Sequence, residues 1–336
     1  MKVFVAGASG ALGRPLITRL REAGHDVWGL AHRPESLKAV EQLGAHSVRG
    51  NALDRDSIFA CVEQIRPDVV IDQLTSLPAS PFDLPERLPA DRTLRLEGGG
   101  NLFDAAQAGG VQRYIQQLSG FYLDGGDGLA AEASPLRVTA PGTIGESARM
   151  YAKLEERIAG AHMMKTVGLR YGFFYGPGTW YWLAGAFSRH VAQGEVPLIG
   201  AGRSVFSFIH VDDAAQATVA ALTAPSGVYN IVDNQPTSFS EWLPAYADWI
   251  GSGAVPHRGE ADALRLMGEE AVYYQNSLSG ACNRKAVQEL GLCPQPLPWP
   301  HPRPNRAETY GSGVQFRSAT HGHVGLRRWL PMCRMS

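Results

Sequence analysis

Lysine is scarce: only Lys2, Lys38, Lys153, Lys165 and Lys285 stand among the 31 basic residues, and the rest are arginine. Cysteine is scarcer, with Cys61, Cys282, Cys293 and Cys333 far apart and no C-x-x-C pair. Neither a disulfide framework nor a zinc site is therefore favoured, and no metal is expected. No apolar run approaches the length of a bilayer span, and Met1 leads straight into a strand-like segment. No signal peptide or membrane anchor is expected, and the expected location is the cytoplasm. A net charge of −1 gives no basic field for nucleic acid or an anionic membrane. The expected partner is a small-molecule substrate, with monomer and homodimer both open.

What is present begins at the first residues. MKVFVAGASGALG reads as a buried strand, Lys2 to Ala6, running into a turn with Gly7, Gly10 and Gly13, then a helix from Arg14 with Leu16, Ile17 and Leu20 on one face. Gly7 lets the chain turn off the strand, Gly10 lets backbone approach a diphosphate, and Gly13 lets helix and sheet pack closely. The unpaired N–H groups at the helix start suit an anion, so Ser9, Ala11 and Leu12 join the three glycines as expected dinucleotide contacts.

A second strand, Asp26 to Leu30, ends in His32 and Arg33, with no acid where one would hold adenosine ribose hydroxyls. An arginine there accommodates a 2′-phosphate, which favours NADP(H) over NAD(H). A third strand precedes Asn51 and Ala52, with Asn51 placed for the adenine edge, and a fourth, Asp68 to Asp72, leads to Leu74 and Thr75. Residues 77–89, with four prolines, read as a loop, and Leu94 to Ala108 as a helix carrying Gly98, Gly99 and Gly100. A fifth strand ends at Ser119, a long loop runs from Gly120 to Glu146, and a helix spans Ser147 to Ala161. The sixth strand leads to Tyr171 and an aromatic loop holding Phe174, Tyr175, Trp180, Tyr181 and Trp182. Those five, with Phe206, are read as a flat, apolar substrate wall. A helix is expected over Trp242 to Ile250, with Pro244 in its first turn. The proline-punctuated stretch from residue 293 to 336 is read as a disordered tail.

The alternation gives an α/β, Rossmann-type doubly wound parallel sheet with a smaller C-terminal substrate-binding part. The expected division is residues 1–172 plus 206–233 for the NADP-binding domain and 173–205 plus 234–292 for the substrate part.

Together GASGALG, GNALD, DVVID, LEGGGNLFDAAQAGGVQRYIQQLS, LRYGFFYGPG, FSFIHVDDAAQAT and NRKAVQELG resemble the extended short-chain dehydrogenase/reductase superfamily of NAD-dependent epimerases and dehydratases. The resemblance implies a Tyr-x-x-x-Lys pair for proton transfer, yet no tyrosine here has lysine four residues later. Aligning the helix on Glu155 puts Ser147 and Tyr151 at the two places; aligning it on Glu156 puts Ala148 and Ala152 there. Lys153 is turned away from both. Ser119 alone matches the family's triad, and Phe206-Ser207-Phe208 stands where nucleotide-sugar enzymes carry a phosphate-gripping arginine. Arg203 lies three residues earlier, and His210 is read as structural.

The expected function is an NADPH-dependent ketoreductase acting on an apolar aromatic or polycyclic substrate, such as a polyketide-type intermediate in antibiotic biosynthesis. Ser119 and Tyr122 are its candidate proton donors. A non-catalytic NADP-binding redox sensor and a nucleotide-sugar enzyme with displaced catalytic groups are the alternatives.

Overall fold

The computed structural model describes residues 1–299. Strand and helix alternate through β1 (Lys2–Ala6), α1 (Gly13–Glu22), β2 (Asp26–Ala31), α2 (Pro34–Gln42), β3 (His46–Arg49), α3 (Arg55–Ile65) and β4 (Val69–Asp72). A 3-10 turn (Pro81–Asp83), α4 (Leu84–Thr93), a π-helical turn (Leu94–Gly98) and α5 (Gly99–Ala108) then follow end to end. Next come β5 (Arg113–Ser119), α6 (Gly142–Ala159), β6 (Lys165–Tyr171), β7 (Phe173–Tyr175) and α7 (Ala186–Ala192). Short strands β8 (Leu198–Ile199), β9 (Val205–Phe206) and β10 (Phe208–His210) precede α8 (Val211–Ala220) and β11 (Gly227–Ile231). The described chain is completed by β12 (Thr237–Ser238), α9 (Phe239–Ile250), β13 (His257–Arg258), α10 (Glu260–Met267), α11 (Glu269–Asn276) and α12 (Arg284–Leu290).

Seven strands form one parallel sheet in the order β11-β6-β5-β4-β1-β2-β3. Each face is covered, as a parallel sheet requires. Phe4, Val70 and Tyr114 pack on one side with Ile58, Leu102 and Leu154 of α3, α5 and α6. Val3, Val5 and Ile71 pack on the other with Leu16, Ile17 and Ala214 of α1 and α8. The order reverses at β1, which pairs β2 on one side and β4 on the other. No helix among the described residues is long and apolar enough to cross a membrane.

Four segments differ from the sequence expectation. Residues 77–89 are not all loop: Pro81 and Pro85 sit in the first turns of the 3-10 turn and α4, where a missing N–H costs nothing. Only Pro89 lies inside α4. The helix read from Ser147 begins at Gly142, just after Pro141, and Gly145 in its first turn packs so tightly that a Cβ would lie 1.7 Å from the Ala140 carbonyl oxygen. Low glycine propensity hid that turn. Helix α9 starts at Phe239 rather than Trp242, on a Ser238/Glu241 capping box, so Pro244 falls beyond the first turn.

The fourth concerns the tail. Residues 293–299 are packed: Leu297 and Trp299 are buried, the indole lying 4.8 Å from the Phe208 ring and 5.3 Å from Tyr246. Polar contacts hold the same stretch: the Gln295 N–H donates to Asp213 (2.8 Å) and the Leu297 N–H to Gln235 Oε1 (3.1 Å). The remainder of the expected tail lies outside the described residues. At the three successive glycines the helix approaches the sheet closely, and a Cβ on Gly99 would meet Asp72 Oδ2 at 2.8 Å.

Just beyond β11, buried Asp233 accepts the N–H groups of Phe208 and Gln235 and ties β10 to the sheet. Burial pushes its carboxyl up to about 6 despite those bonds. The folded chain therefore binds a proton that the unfolded chain releases over this range, and stability from this group rises as pH falls from 6 towards 4. Urea unfolding from pH 7 to 4 is expected to show wild type gaining up to about 3 kcal/mol relative to Asp233→Asn.

Candidate active site

The site is built on the loops leaving the carboxyl ends of the strands. Gly7 takes φ +83° as the chain leaves β1, and a Cβ there would sit 2.3 Å from the Gln73 carbonyl oxygen. Gly13 opens α1 so close to the turn that a Cβ would lie 2.4 Å from the Gly7 oxygen and 2.5 Å from that of Ala8. No side chain caps this helix, and no acid occupies its first turn. The Arg14 and Leu16 N–H groups donate to the Gly10 and Leu12 carbonyls (3.2 and 3.1 Å) and Pro15 has none, which leaves the Ala11, Leu12 and Gly13 N–H groups for an external anion at exposed Gly10 and Ala11. That cradle fits a dinucleotide diphosphate. Ser9 accepts Arg14 Nε through its carbonyl (3.0 Å), and Leu12 is buried beneath the turn.

The parallel pairing of β2 with β1 brings exposed His32 and Arg33 alongside. Arg33 has only a long contact, 3.8 Å, to exposed Glu35. Asn51 turns its Oδ1 back to the Leu53 N–H (3.2 Å), while Ala52 is buried against Gly98. Leu74 is also buried, whereas Thr75 and Tyr171 line the large cavity described next. The Tyr171 hydroxyl is held by Thr218 (2.6 Å) and Gln73 (3.3 Å).

A cavity of about 1400 Å³ runs from Gly10 and Ala11 past the end of β5. Phe174, Trp180, Tyr181, Trp182 and Phe206 line it, with Phe173 beside them. Trp180 is fixed by donating its Nε1 hydrogen to the Pro78 carbonyl (3.2 Å). Tyr175 is the exception among the expected wall residues. It is buried away from the cavity, edge-on to Trp299 at 5.4 Å, within the core cluster that holds Phe208 and Trp242. The aromatic segment is thus partly strand and partly core.

At the reacting end the Ser119 hydroxyl accepts the Phe121 N–H (3.2 Å), and the Tyr151 hydroxyl lies beside it. Tyr151 is the residue the sequence reading did not choose. Bidentate pairing of Arg170 with Glu155, at 2.8 and 2.7 Å, fixes α6 on β6. Glu156 is exposed. This selects the alignment that turns Ser147 and Tyr151 into the cavity, and Lys153 stays exposed. Tyr122 lies in the same wall, but its hydroxyl is committed to Tyr274 (2.9 Å), with Ser147 close by. Burial pushes the phenols of Tyr122 and Tyr151 above the ordinary tyrosine value, against the pull of Arg95 on Tyr151. Both are therefore protonated at neutral pH and reluctant to ionise.

Asp91, Arg92 and Arg95 also line the cavity and carried no signal in the sequence, since neither the loop read over residues 77–89 nor the helix read from Leu94 said which charges face a cavity. His210 caps α8 by accepting the Asp212 N–H (3.2 Å), and neither it nor exposed Arg203 lines the cavity.

The sequence pattern of the NAD dependent epimerase/dehydratase family matches residues 3–232. A 3-diazoavenalumate denitrifying reductase from a Streptomyces species is 36% identical over 302 residues, covering 89% of this chain and 98% of that protein. Pinoresinol reductase 2 of Arabidopsis thaliana is 25% identical, covering 70% and 69%. Among solved structures, a dTDP-glucose 4,6-dehydratase from Streptomyces venezuelae with NAD bound superposes with a TM-score of 0.69 at 19% identity, covering 88% and 93%. A Thermus thermophilus UDP-glucose 4-epimerase with NAD gives 0.66 at 23%, covering 88% and 94%.

Gly13→Ala forces the turn and α1 apart. Its affinity for NADPH is expected to fall by about tenfold or more in a fluorescence titration, with the unfolding transition retained.

Proposed function

The chain belongs to the NAD-dependent epimerase/dehydratase family, and we propose that it is a nicotinamide-dependent reductase of an apolar aromatic substrate. The observation that carries this reading is an aromatic-walled cavity that joins a glycine-turn anion cradle to a buried Ser119–Tyr151 pair. In this reading Gly10, Ala11 and the start of α1 hold the diphosphate, and His32 and Arg33 favour NADPH over NADH. The bound cofactor supplies hydride. The chain's own work is to hold the substrate ring against Phe173, Trp180, Tyr181 and Phe206, and to exclude water from it.

A substrate that needs no proton from the enzyme fits these residues best. Tyr151 has no lysine to lower its pKa, and burial raises it instead. An aryl diazonium group meets the requirement: a C–H bond forms with the incoming hydride, the C–N bond breaks, and its electron pair leaves with dinitrogen. The name of the 36% identical relative, a denitrifying reductase of 3-diazoavenalumate, supports this choice.

A phenolic aromatic ketone, including a polycyclic polyketide-type one, is the second reading, because Tyr151 on Ser119 supplies a phenolic proton beside the strand end. Such a ketone would need that proton, and loss of a general acid costs typically about 10²–10⁴-fold.

NADPH deuterated at its transferable position, incubated with aryl diazonium salts and phenolic ketones and corrected for the reaction without protein, tests the proposal. Deuterium on a ring carbon with release of dinitrogen is expected. Carbinol deuterium, with a loss of about 10²–10⁴-fold in Tyr151→Phe, would instead select the ketone. No label in any product would overturn the reductase reading and leave a dinucleotide-binding sensor. Arg33→Ala is expected to erode the NADPH-over-NADH preference in kcat/KM by roughly tenfold.

A further inference from the structure

We infer that Arg95 forms a binding subsite for the carboxylate of the aromatic substrate. The inference deepens the reductase reading above and rests on it.

Arg95 sits in the π-helical turn that follows α4, and π-turns within helices concentrate at functional sites. It lines the cavity yet is 96% withdrawn from solvent, with 4% side-chain exposure, and so is its partner Asp91. The pair is single-stranded: Nε donates to Asp91 Oδ2 at 2.7 Å, and the other Asp91 oxygen accepts the Ser76 N–H at 2.6 Å. Nη1 is buried with no partner among the described residues. Tyr151 lies beside the guanidinium, its ring centroid 5.5 Å from Cζ. The anion at Arg95 would therefore lie one side chain away from Ser119.

Arginines that serve only the fold look different in this chain. Arg170 donates Nε and Nη2 to Glu155 and Nη1 to the Glu132 carbonyl (3.0 Å). Arg113 places Nη1 between the carbonyls of Ala221 and Ala224, at 3.1 and 2.8 Å. A buried cation normally has its donors matched, since unmatched ones forfeit their hydration without return. Arg95 keeps its fork open inside a cavity walled by aromatic rings. A planar carboxylate matches that fork in shape and charge, and an aromatic ring matches the walls. One turn away, Arg92 is committed to Glu146 (2.5 Å), the Thr143 carbonyl (3.0 Å) and Ser147 (3.1 Å), and only its Nε lacks a partner. Arg92 thus forms the rim of the subsite, and Arg95 its floor.

The test is a calorimetric titration of the NADP⁺-loaded protein with 4-hydroxycinnamate and with its primary amide, which keeps the ring and loses the charge. The acid is expected to bind wild type roughly 10- to 100-fold more tightly than the amide. Arg95→Met should bring the two within about threefold, with NADP⁺ affinity and the melting transition as controls on its fold. Equal binding of acid and amide by wild type, failure of both to bind, or an acid preference that survives in Arg95→Met would overturn the inference. The wild-type comparison stands even if the variant does not fold. Because this readout is binding alone, a missing deuterium transfer would sink the reductase reading while leaving the carboxylate subsite measurable.

Discussion

The site depends on one constraint: a parallel sheet covered on both faces can offer chemistry only where its strands end. In this chain β1 pairs β2 on one side and β4 on the other, so the connections out of β1 and β4 leave in opposite directions and part above the sheet. The glycine turn occupies one wall of that gap and Thr75 the other. Ser119 and Tyr171, opposite one another at the ends of β5 and β6, continue the same edge. Every group argued to act on a ligand lies on or above this line of strand ends.

How firmly α6 is set on that edge decides which side chains meet the substrate. The Arg170–Glu155 fork fastens the middle of the helix to β6, where a displacement of one residue would rotate every side chain by about 100°. With the helix fixed, Ser147 and Tyr151 face inward one turn apart. Under the Glu155 alignment, a short hydroxyl and a buried phenol stand where the resemblance implies the family's acid and its lysine. The arrangement holds a ring well and moves protons poorly, which is the physical ground for favouring a substrate that takes hydride without protonation.

The glycine turn, the alternation of strands and helices and the strand end at Ser119 were legible because each depends on local features: glycines where a Cβ cannot fit, apolar runs and the breaks between them. The choice between Glu155 and Glu156 was not, because both are glutamates on one helix and only a partner 15 residues later distinguishes them. Tyr175 was misjudged for a related reason, since an aromatic-rich segment does not declare which of its rings is covered from far along the chain, as Tyr175 is by Trp299. Asp91 and Arg92 fell between the segment read as loop and the helix read from Leu94, and Arg95, although read as helical, carried nothing that turned it towards a cavity. The expected cofactor, substrate and proton donor all turn on side-chain directions of this kind, so sequence periodicity could limit them without choosing among them.

Trp299 gives the fold a temporal order. Chains are synthesised from the N-terminus, and the parallel sheet has all its strands once β11 has been made, well before residue 299. The aromatic cluster of Tyr175, Phe208, Trp242 and Tyr246 stays open on one side until this indole arrives to close it. A nascent or prematurely terminated chain would therefore carry a complete glycine turn above an unsealed apolar surface. To the quality-control machinery of a cell, such a chain would be marked by that exposed surface despite a finished cofactor cradle.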